Sequence, residues 1–309
     1  MNVQNIVIKT ILKGLRVSGK LAGKDNFPVM RKNFDKACTS MPLEKGVKFK
    51  PITIAGIPSE WAVPPKCDNR DVILYFHGGG YCIGSIEAVR VLCSKLASES
   101  ERAVLTFEYR LAPENPYPAG LEDALTVYHW LLEGDYDPKR ISFAGDSAGA
   151  GLMLSAMLYL RDKKIKMPAC AVAFSPWTDL TASSESLQRN LKKDPFIDEE
   201  SVRNWAMYYA AGQDLKKPYL SAVYGDYHDF PPVLIQVGTE ETLYDDSIRA
   251  AAQIKATGGN VELEIFSDMV HVFQQFWTWL PEAKDALKKT AAFIKIHTKQ
   301  LNRFEKTGS

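Results

Sequence analysis

The segment Gly145-Asp-Ser-Ala-Gly149 lies between two apolar runs of different character. Residues 140–144 are typical of a short buried strand, whereas residues 148–160 are typical of a buried helix. A serine between two glycines at a strand-to-helix turn is the pattern of a nucleophile elbow, in which the serine hydroxyl projects above the sheet. The start of a helix also directs backbone N–H groups toward any negative charge that forms there. The segment therefore predicts a nucleophilic Ser147 at the end of a strand.

A glycine loop, His77-Gly-Gly-Gly80, follows a second buried strand predicted over residues 71–76. Three glycines let the backbone bend close to a bound group and direct N–H groups toward it. Such donors are needed where a carbonyl oxygen gains negative charge, and each lost donor costs about a hundred- to a thousand-fold in rate. The alternatives are a flexible turn or a phosphate-binding loop, but neither glycine-rich phosphate pattern occurs in the sequence. We therefore interpret residues 77–80 as an oxyanion-binding loop.

The chain has five histidines that compete for the role of general base. Four of them fall in the glycine loop, in a predicted helix before the nucleophile, in a polar loop and in the C-terminal helix: His77, His129, His228 and His297. His271 follows the alternating strand predicted over residues 261–266. From there it can reach over the edge of the sheet to Ser147. A loop histidine without chemical function is the alternative, but we predict that His271 is the base.

A carboxylate is expected as the third partner, because it orients the imidazole and stabilises its charged form. The strand predicted over residues 232–237 is followed by a loop with four carboxylates: Glu240, Glu241, Asp245 and Asp246. This loop lies between Ser147 and His271 in the chain, which gives the order nucleophile, acid, histidine. The residue pattern alone does not choose among the four.

Predicted strands and helices alternate along most of the chain. The strands fall at about 50–56, 59–64, 71–76, 103–108, 141–144, 170–175, 232–237 and 261–266. The helices fall at about 85–98, 119–133, 148–162, 245–257 and 282–301. Strands separated by helices predict a mostly parallel sheet with helices on both faces. More than fifty residues separate the sixth and seventh strands, too many for one connection, so we expect an inserted segment there that contains an aromatic helix at 201–209.

The composition is that of an ordinary globular protein, and it argues against a nucleic-acid-binding protein, a disulfide-rich protein and a zinc protein. The 38 basic and 37 acidic residues of this 309-residue chain nearly balance, which gives no basis for nucleic-acid binding. The five cysteines are odd in number and form no C-x-x-C pair, so neither a disulfide framework nor a zinc site is indicated. A reducing, cytoplasmic setting fits this pattern best.

The N-terminal segment is apolar but is interrupted by Lys9 and Lys13. It lacks the basic start and the small-residue cleavage site of a signal peptide, and it is too short to span a membrane, so we expect no stable membrane insertion. Five of its residues share one face of a helix: Ile6, Val7, Ile11, Leu12 and Leu15. The segment is expected to pack on the protein as an amphipathic helix or to form a lid over the site.

Six segments occur in one order along the chain: His77–Gly80, Tyr109–Glu114, Tyr117–Ala119, Gly145–Gly149, Ser175–Asp179 and the loop that carries His271. In order and spacing they resemble the hormone-sensitive-lipase-like esterases, which are the bacterial family IV carboxylesterases, and among them the GDSAG subgroup. The resemblance extends from about Pro51 to about Phe293. It implies an α/β-hydrolase fold, with a mostly parallel eight-stranded sheet, flanking helices and a helical cap.

The resemblance also implies roles for individual residues. The segment Glu241–Asp246 matches the Asp-Pro-Leu-x-Asp-Glu pattern that carries the family's acid, so Glu241 is the expected acid, with Glu240 and Asp245 as fallbacks. The expected oxyanion donors are the backbone N–H groups of Gly79, Gly80 and Ala148, and His77 becomes a structural residue. The predicted substrate-binding residues are Gly78, Tyr81, Trp205 and Tyr209. The core is expected over 49–180 and 226–309, and the cap over 1–48 and 181–225.

The expected function is that of a serine carboxylesterase, which hydrolyses short- to medium-chain acyl esters through an acyl-enzyme without a metal or cofactor. An amidase or lactonase with the same machinery is the first alternative. A non-catalytic ligand-binding protein is the second, since plant gibberellin receptors resemble this family but lack its histidine. Family members often pair through an edge strand, so the strand at 261–266 is a candidate homodimer contact.

Overall fold

The computed structural model describes residues 8–10, 12, 26–68 and 70–299. Within them the chain forms eight strands: β1 (Lys48–Ile54), β2 (Ile57–Val63), β3 (Val72–Phe76), β4 (Ala103–Phe107), β5 (Ile141–Asp146), β6 (Cys170–Phe174), β7 (Val233–Gly238) and β8 (Val261–Phe266). The helices are α1 (Phe27–Thr39), α2 (Ile86–Ser100), α3 (Ala119–Glu133), α4 (Ser147–Asp162), α5 (Ser186–Arg189), α6 (Glu199–Ala210), α7 (Tyr244–Ala256) and α8 (Pro281–Lys299).

All eight strands join one sheet in the order β1-β2-β4-β3-β5-β6-β7-β8. The β1–β2 and β2–β4 pairs are antiparallel and the remaining pairs are parallel, which confirms the predicted mostly parallel sheet. Because parallel strands end at the same edge, the loops after β3, β5, β6, β7 and β8 share one side of the molecule. Ligands of open α/β sheets bind at this side.

Apolar side chains cover both faces of the sheet. In β3 every residue is buried, and successive side chains point to opposite faces. Leu74 packs with residues of α3, α4 and α7 on one face, whereas Ile73 packs with residues of α2 and α8 on the other. This two-sided burial explains why the central strands are nearly continuous apolar runs.

The structure differs from the sequence prediction mainly before β1. Helix α1 lies in the segment 1–48 that was expected to be the helical first part of the cap, but its bounds were not predicted; Asn26 begins it by accepting a hydrogen bond from the Val29 N–H at 3.4 Å. Of the predicted amphipathic face, Leu12 is buried against the α2 and α8 side of the core. Four further members of that face lie outside the described residues: Ile6, Val7, Ile11 and Leu15. Every helix of the described part is too short or too polar to cross a bilayer.

Candidate active site

Ser147 lies at the turn between β5 and α4. Strand β5 ends at Asp146, and Ser147 begins the helix with a φ of +53°, a left-handed conformation that side chains rarely adopt. Gly149 allows the turn to pack closely against β3, because a Cβ atom at this position would lie 2.2 Å from the carbonyl oxygen of Phe76. The backbone strain and the close packing together hold the Ser147 hydroxyl at the carboxyl end of the sheet.

Three predicted residues form one hydrogen-bonded chain. The Oγ atom of Ser147 lies 2.9 Å from Nε2 of His271, and Nδ1 of the same ring lies 2.9 Å from Oε2 of Glu241. His271 follows β8 and Glu241 follows β7, so three separate strand ends supply the three groups. This arrangement has the geometry of a nucleophile, a base and an orienting carboxylate.

The environment of Glu241 fixes its carboxylate. The side chain is completely buried, and its Oε1 atom accepts hydrogen bonds from the Gly238 N–H and, at 2.8 Å, from the Ser175 hydroxyl. The Ser175 hydroxyl in turn accepts a hydrogen bond from the Val272 N–H at 3.1 Å. Ser175 therefore links the loop of the carboxylate to the loop of the histidine.

The protonation of His271 is controlled by opposing effects. Burial lowers the pKa of His271, but the Glu241 carboxylate at Nδ1, with smaller contributions from Asp194 and Asp146, raises it by more. The resulting pKa lies above that of an ordinary histidine. A histidine in this position is a stronger base for the Ser147 proton than a free imidazole, but it must be neutral to act.

The other three carboxylates of the acid loop have different partners. Glu240 forms a buried ion pair with Lys9 of the N-terminal segment. Asp245 accepts a hydrogen bond from the Ser186 N–H and pairs with Arg189, both at 2.7 Å. Asp246 accepts from two backbone N–H groups of the segment after β6. Of the four candidates, only Glu241 contacts His271 in the described structure.

His77 is buried beside the glycine loop. Its Nδ1 atom lies 2.9 Å from the Gly78 carbonyl oxygen, and its ring stacks on Tyr109 with a centroid distance of 4.2 Å. Burial lowers the pKa of His77 to about 4, so the ring is neutral near pH 7. It braces the loop and lies apart from the chain of Ser147, His271 and Glu241.

The glycine loop has free donors. The Gly78 N–H donates to Asp146 Oδ1 at 3.0 Å. In the described part of the chain, the N–H groups of Gly79 and Gly80 have no protein acceptor. The glycine loop meets the turn that carries Ser147, since a Cβ atom on Gly149 would lie 2.3 Å from the His77 carbonyl oxygen, and Ala148 is the second residue of α4. Backbone N–H groups of this kind are the donors that an oxyanion requires.

The four predicted substrate-binding residues have three different surroundings. Trp205 of α6 lies directly on Gly80, since a Cβ on that glycine would come 2.0 Å from the indole Cε3 atom. Tyr81 and Tyr209 are almost completely buried and stack on each other with a centroid distance of 3.8 Å. Gly78 is held by Asp146. Direct contact of these four residues with substrate remains a prediction.

Three further buried residues that contact the candidate site were not among the predicted site residues. Asp146 holds Gly78, Ser175 holds Glu241, and Asp194 accepts hydrogen bonds from the N–H and hydroxyl groups of Thr242, next to the acid. Asp146 and Ser175 stand within quoted motifs, and Asp194 precedes a proline in the inserted segment. A polar residue at the end of a buried strand is the signal that Asp146 and Ser175 carry, whereas Asp194 lies in a loop of the inserted segment and has no such signal.

Comparison with known proteins agrees with this geometry. A family model described as an alpha/beta hydrolase fold matches residues 73–275. An acetyl-hydrolase of Streptomyces hygroscopicus is 40% identical over 248 residues, which is 80% of this chain and 82% of that protein. The putative acetyl-hydrolase LipR of Mycobacterium tuberculosis is 32% identical over 97% of both chains.

Solved structures show similarity to proteins of the same kind. The crystal structure of an esterase from the bacterial hormone-sensitive lipase family has a TM-score of 0.92 and 36% identity, and covers 96% of this chain and 99% of that one. A hormone-sensitive lipase from a metagenome library has a TM-score of 0.91 and 34% identity, with coverage of 97% and 99%. The chain therefore belongs to the hormone-sensitive-lipase-like family IV esterases of the α/β-hydrolase superfamily.

Proposed function

We propose that this protein hydrolyses carboxylic esters of short- to medium-chain acids through an acyl-enzyme on Ser147. The observation that carries the proposal is the chain from the Ser147 hydroxyl through His271 to Glu241, at 2.9 Å for each step. In the described part of the chain the Gly79 and Gly80 N–H groups have no protein acceptor, which supports their proposed role as oxyanion donors. A nucleophile, a base and oxyanion donors at one point are the requirements of acyl transfer.

The first step forms the acyl-enzyme. Neutral His271 takes the Ser147 proton at Nε2 while the serine oxygen attacks the ester carbonyl. The negative charge that develops on the carbonyl oxygen is stabilised by the N–H groups of Gly79, Gly80 and Ala148. Glu241 holds the proton on Nδ1 and stabilises the imidazolium. The imidazolium then gives its proton to the departing alcohol as the C–O bond breaks.

The second step releases the acid. A water molecule enters beside His271, which removes a proton from it as the water oxygen attacks the acyl carbonyl. The same N–H donors stabilise the second oxyanion, and the Ser147 oxygen leaves with the proton that His271 returns. Hydrolysis is complete without a metal or cofactor in any step.

The names of related proteins favour small acyl groups. Relatives include two acetyl-hydrolases and an ethyl acetate hydrolase of Pseudomonas putida. Trp205 supports this proposal, because its indole lies against the glycine loop and would limit the space beside the reacting carbonyl.

An amidase or a lactonase would use the same catalytic groups, but the names of the relatives give no support to either activity. His271 in contact with Ser147 speaks against a non-catalytic binding protein.

We also propose that residues 1–48 and 181–225 form a two-part cap. Two contacts support this assignment: Trp205 of the second part lies on Gly80, and Lys9 of the first part pairs with Glu240 beside the acid. Both parts thus contact loops that carry the proposed catalytic groups. A cap in this place would exclude water and shape the pocket.

Two further proposals concern the setting of the protein. Strand β8 is an edge of the sheet, and Ile265 on it is exposed, which supports a homodimer through this strand. Light scattering should give twice the chain mass, and an Ile265→Lys variant should be monomeric. All five cysteines lie in the described part of the chain and none is joined to another by a disulfide, which supports a reducing cytoplasmic location.

The proposed function is tested with p-nitrophenyl acetate, butyrate and octanoate, alongside p-nitroacetanilide as the matched amide. The wild-type protein should hydrolyse the shorter esters fastest and leave the anilide almost unchanged. Ser147→Ala should abolish turnover, whereas Ser155→Ala, which changes a buried serine two turns along α4, should retain it. Faster hydrolysis of the anilide than of the esters, or full activity in Ser147→Ala, would overturn the proposal.

A further inference from the structure

Phe196 lies next to the proposed general base. Its ring meets the His271 ring edge-on, with a centroid distance of 6.4 Å and an interplanar angle of 72°. The side chain is 37% exposed. Phe196 belongs to the inserted segment between β6 and β7 and was not among the residues predicted to bind substrate.

Two more aromatic rings continue the row from Phe196, the buried Phe276 and the exposed Trp279. Phe276 lies 6.3 Å from it, and Trp279 stacks on Phe276 with a centroid distance of 6.2 Å. Trp279 is 44% exposed, so the row begins at His271 and ends at the surface. Single exposed aromatic residues are common, but a connected row that starts at a reactive group marks an apolar binding surface.

Hydrogen bonds hold the backbone at Phe196 in place. The Oδ1 atom of Asp194 accepts from the Phe196 N–H at 2.8 Å, and its Oδ2 atom accepts from the N–H and hydroxyl groups of Thr242. The Asp194 side chain is buried, and Thr242 directly follows Glu241. The backbone that carries the Phe196 ring is therefore held in a defined position next to the acid loop, as a residue that shapes a pocket must be.

The chemistry identifies the part of the substrate that lies here. The carbonyl oxygen is directed toward the glycine loop, whereas the departing alcohol oxygen must lie within about 3 Å of His271 Nε2 to receive its proton. The alcohol portion of the ester is thus the portion beside the imidazole. A group attached to that oxygen continues toward the ring that borders His271, which is Phe196.

We propose that Phe196, Phe276 and Trp279 form the binding surface for the alcohol portion of the ester and select apolar, aromatic alcohols. The proposal rests on the proposed esterase mechanism, which fixes the direction of the substrate. Aromatic rings gain binding free energy from edge-on and offset contacts with one another, in addition to the free energy gained from burial. An aryl ester therefore binds more tightly than an ethyl ester of the same acid.

The first test varies the alcohol at a constant acyl group, with ethyl, phenyl and 1-naphthyl acetate. Phe196→Ala and Trp279→Ala should lower kcat/KM for 1-naphthyl acetate about tenfold, mainly through KM, and change ethyl acetate less than about twofold. Ile296→Ala, which removes an exposed apolar side chain from α8, should change neither. Equal losses on all three acetates, or losses in kcat alone, would overturn the proposal.

The second test varies the acyl group at a constant alcohol, with p-nitrophenyl acetate, butyrate and octanoate. The proposal predicts that Phe196→Ala lowers kcat/KM by the same factor for all three. A loss that grows with acyl length would place Phe196 on the acyl side and overturn the proposal. Calorimetric binding of 1-naphthyl acetate to Ser147→Ala needs no turnover, and adding Phe196→Ala should weaken it about tenfold. This readout keeps failure of the surface distinct from failure of the mechanism.

Discussion

Asp146 holds Gly78: its Oδ1 atom accepts the Gly78 N–H at 3.0 Å and also a hydrogen bond from the Tyr75 hydroxyl at 2.8 Å. The residue that precedes the nucleophile thus fixes the first glycine of the proposed oxyanion loop. Two motifs that lie almost seventy residues apart in the sequence are joined by this one carboxylate. The position of the oxyanion donors relative to Ser147 depends on it.

Replacing Asp146 by alanine should therefore damage both stability and catalysis. The buried Gly78 N–H would lose its acceptor, which costs about 1–3 kcal/mol in the free energy of unfolding. We expect kcat to fall at least tenfold, because the loop donors are no longer held. Asp146→Asn keeps an acceptor oxygen and should retain most of the free energy of unfolding and most of kcat. Urea unfolding and steady-state kinetics measure them, and an unimpaired alanine variant would refute this role.

The pH dependence of kcat/KM should reflect His271. The rate falls as the pH drops through the His271 pKa, because the protonated ring no longer accepts the Ser147 proton. Glu241 raises this pKa, so Glu241→Gln should move the acidic limb to lower pH and reduce kcat by about ten-thousand-fold. Asp245→Asn, in the same loop, should leave the acidic limb of the profile at its wild-type pH. An acidic limb unchanged in Glu241→Gln would contradict the assignment.

The sequence predicted the fold and the three side chains that the structure brings together, because strands, helices and the motifs of Ser147 and His271 leave local patterns. The strand at 261–266 and the helix at 119–133 are found with those bounds, since alternation and apolar periodicity are local properties. The choice of Glu241 needed the family resemblance, because four carboxylates share one loop. Ser175 and Asp194 were missed because their partners are distant in sequence, and only the folded chain brings them to the acid.

Gly80 offers a test of the contact with the cap helix. Its φ is +60°, and a Cβ there would overlap Trp205. Gly80→Ala should therefore displace an oxyanion donor and lower kcat about a hundred- to a thousand-fold. Gly212→Ala is the matched control, because Gly212 has a φ of +81° and open space around it. Adding Trp205→Ala to the Gly80 variant should restore part of kcat, and equal activity of the two glycine variants would count against the contact.

The ion pair of Lys9 and Glu240 connects the N-terminal segment to the acid loop. Lys9→Met leaves the Glu240 carboxylate buried without its cation, which should cost about 3–5 kcal/mol in the free energy of unfolding. The double variant with Glu240→Gln removes both charges and should recover a large part of that loss. Urea unfolding of Lys9→Met, Glu240→Gln and the double variant gives the coupling free energy between the two side chains. Purely additive effects would show that the pair does not stabilise the folded state.

The central claim is that Ser147 becomes covalently acylated with the help of His271 and Glu241. Mass spectrometry of the protein after treatment with diethyl p-nitrophenyl phosphate tests it directly, because this phosphate ester leaves a stable diethylphosphoryl group on an activated serine. We predict one such group per chain, on the peptide that contains Ser147, and no modification of the Ser147→Ala variant. A wild-type protein that hydrolyses esters yet stays unmodified, or carries the group on another residue, would contradict the claim.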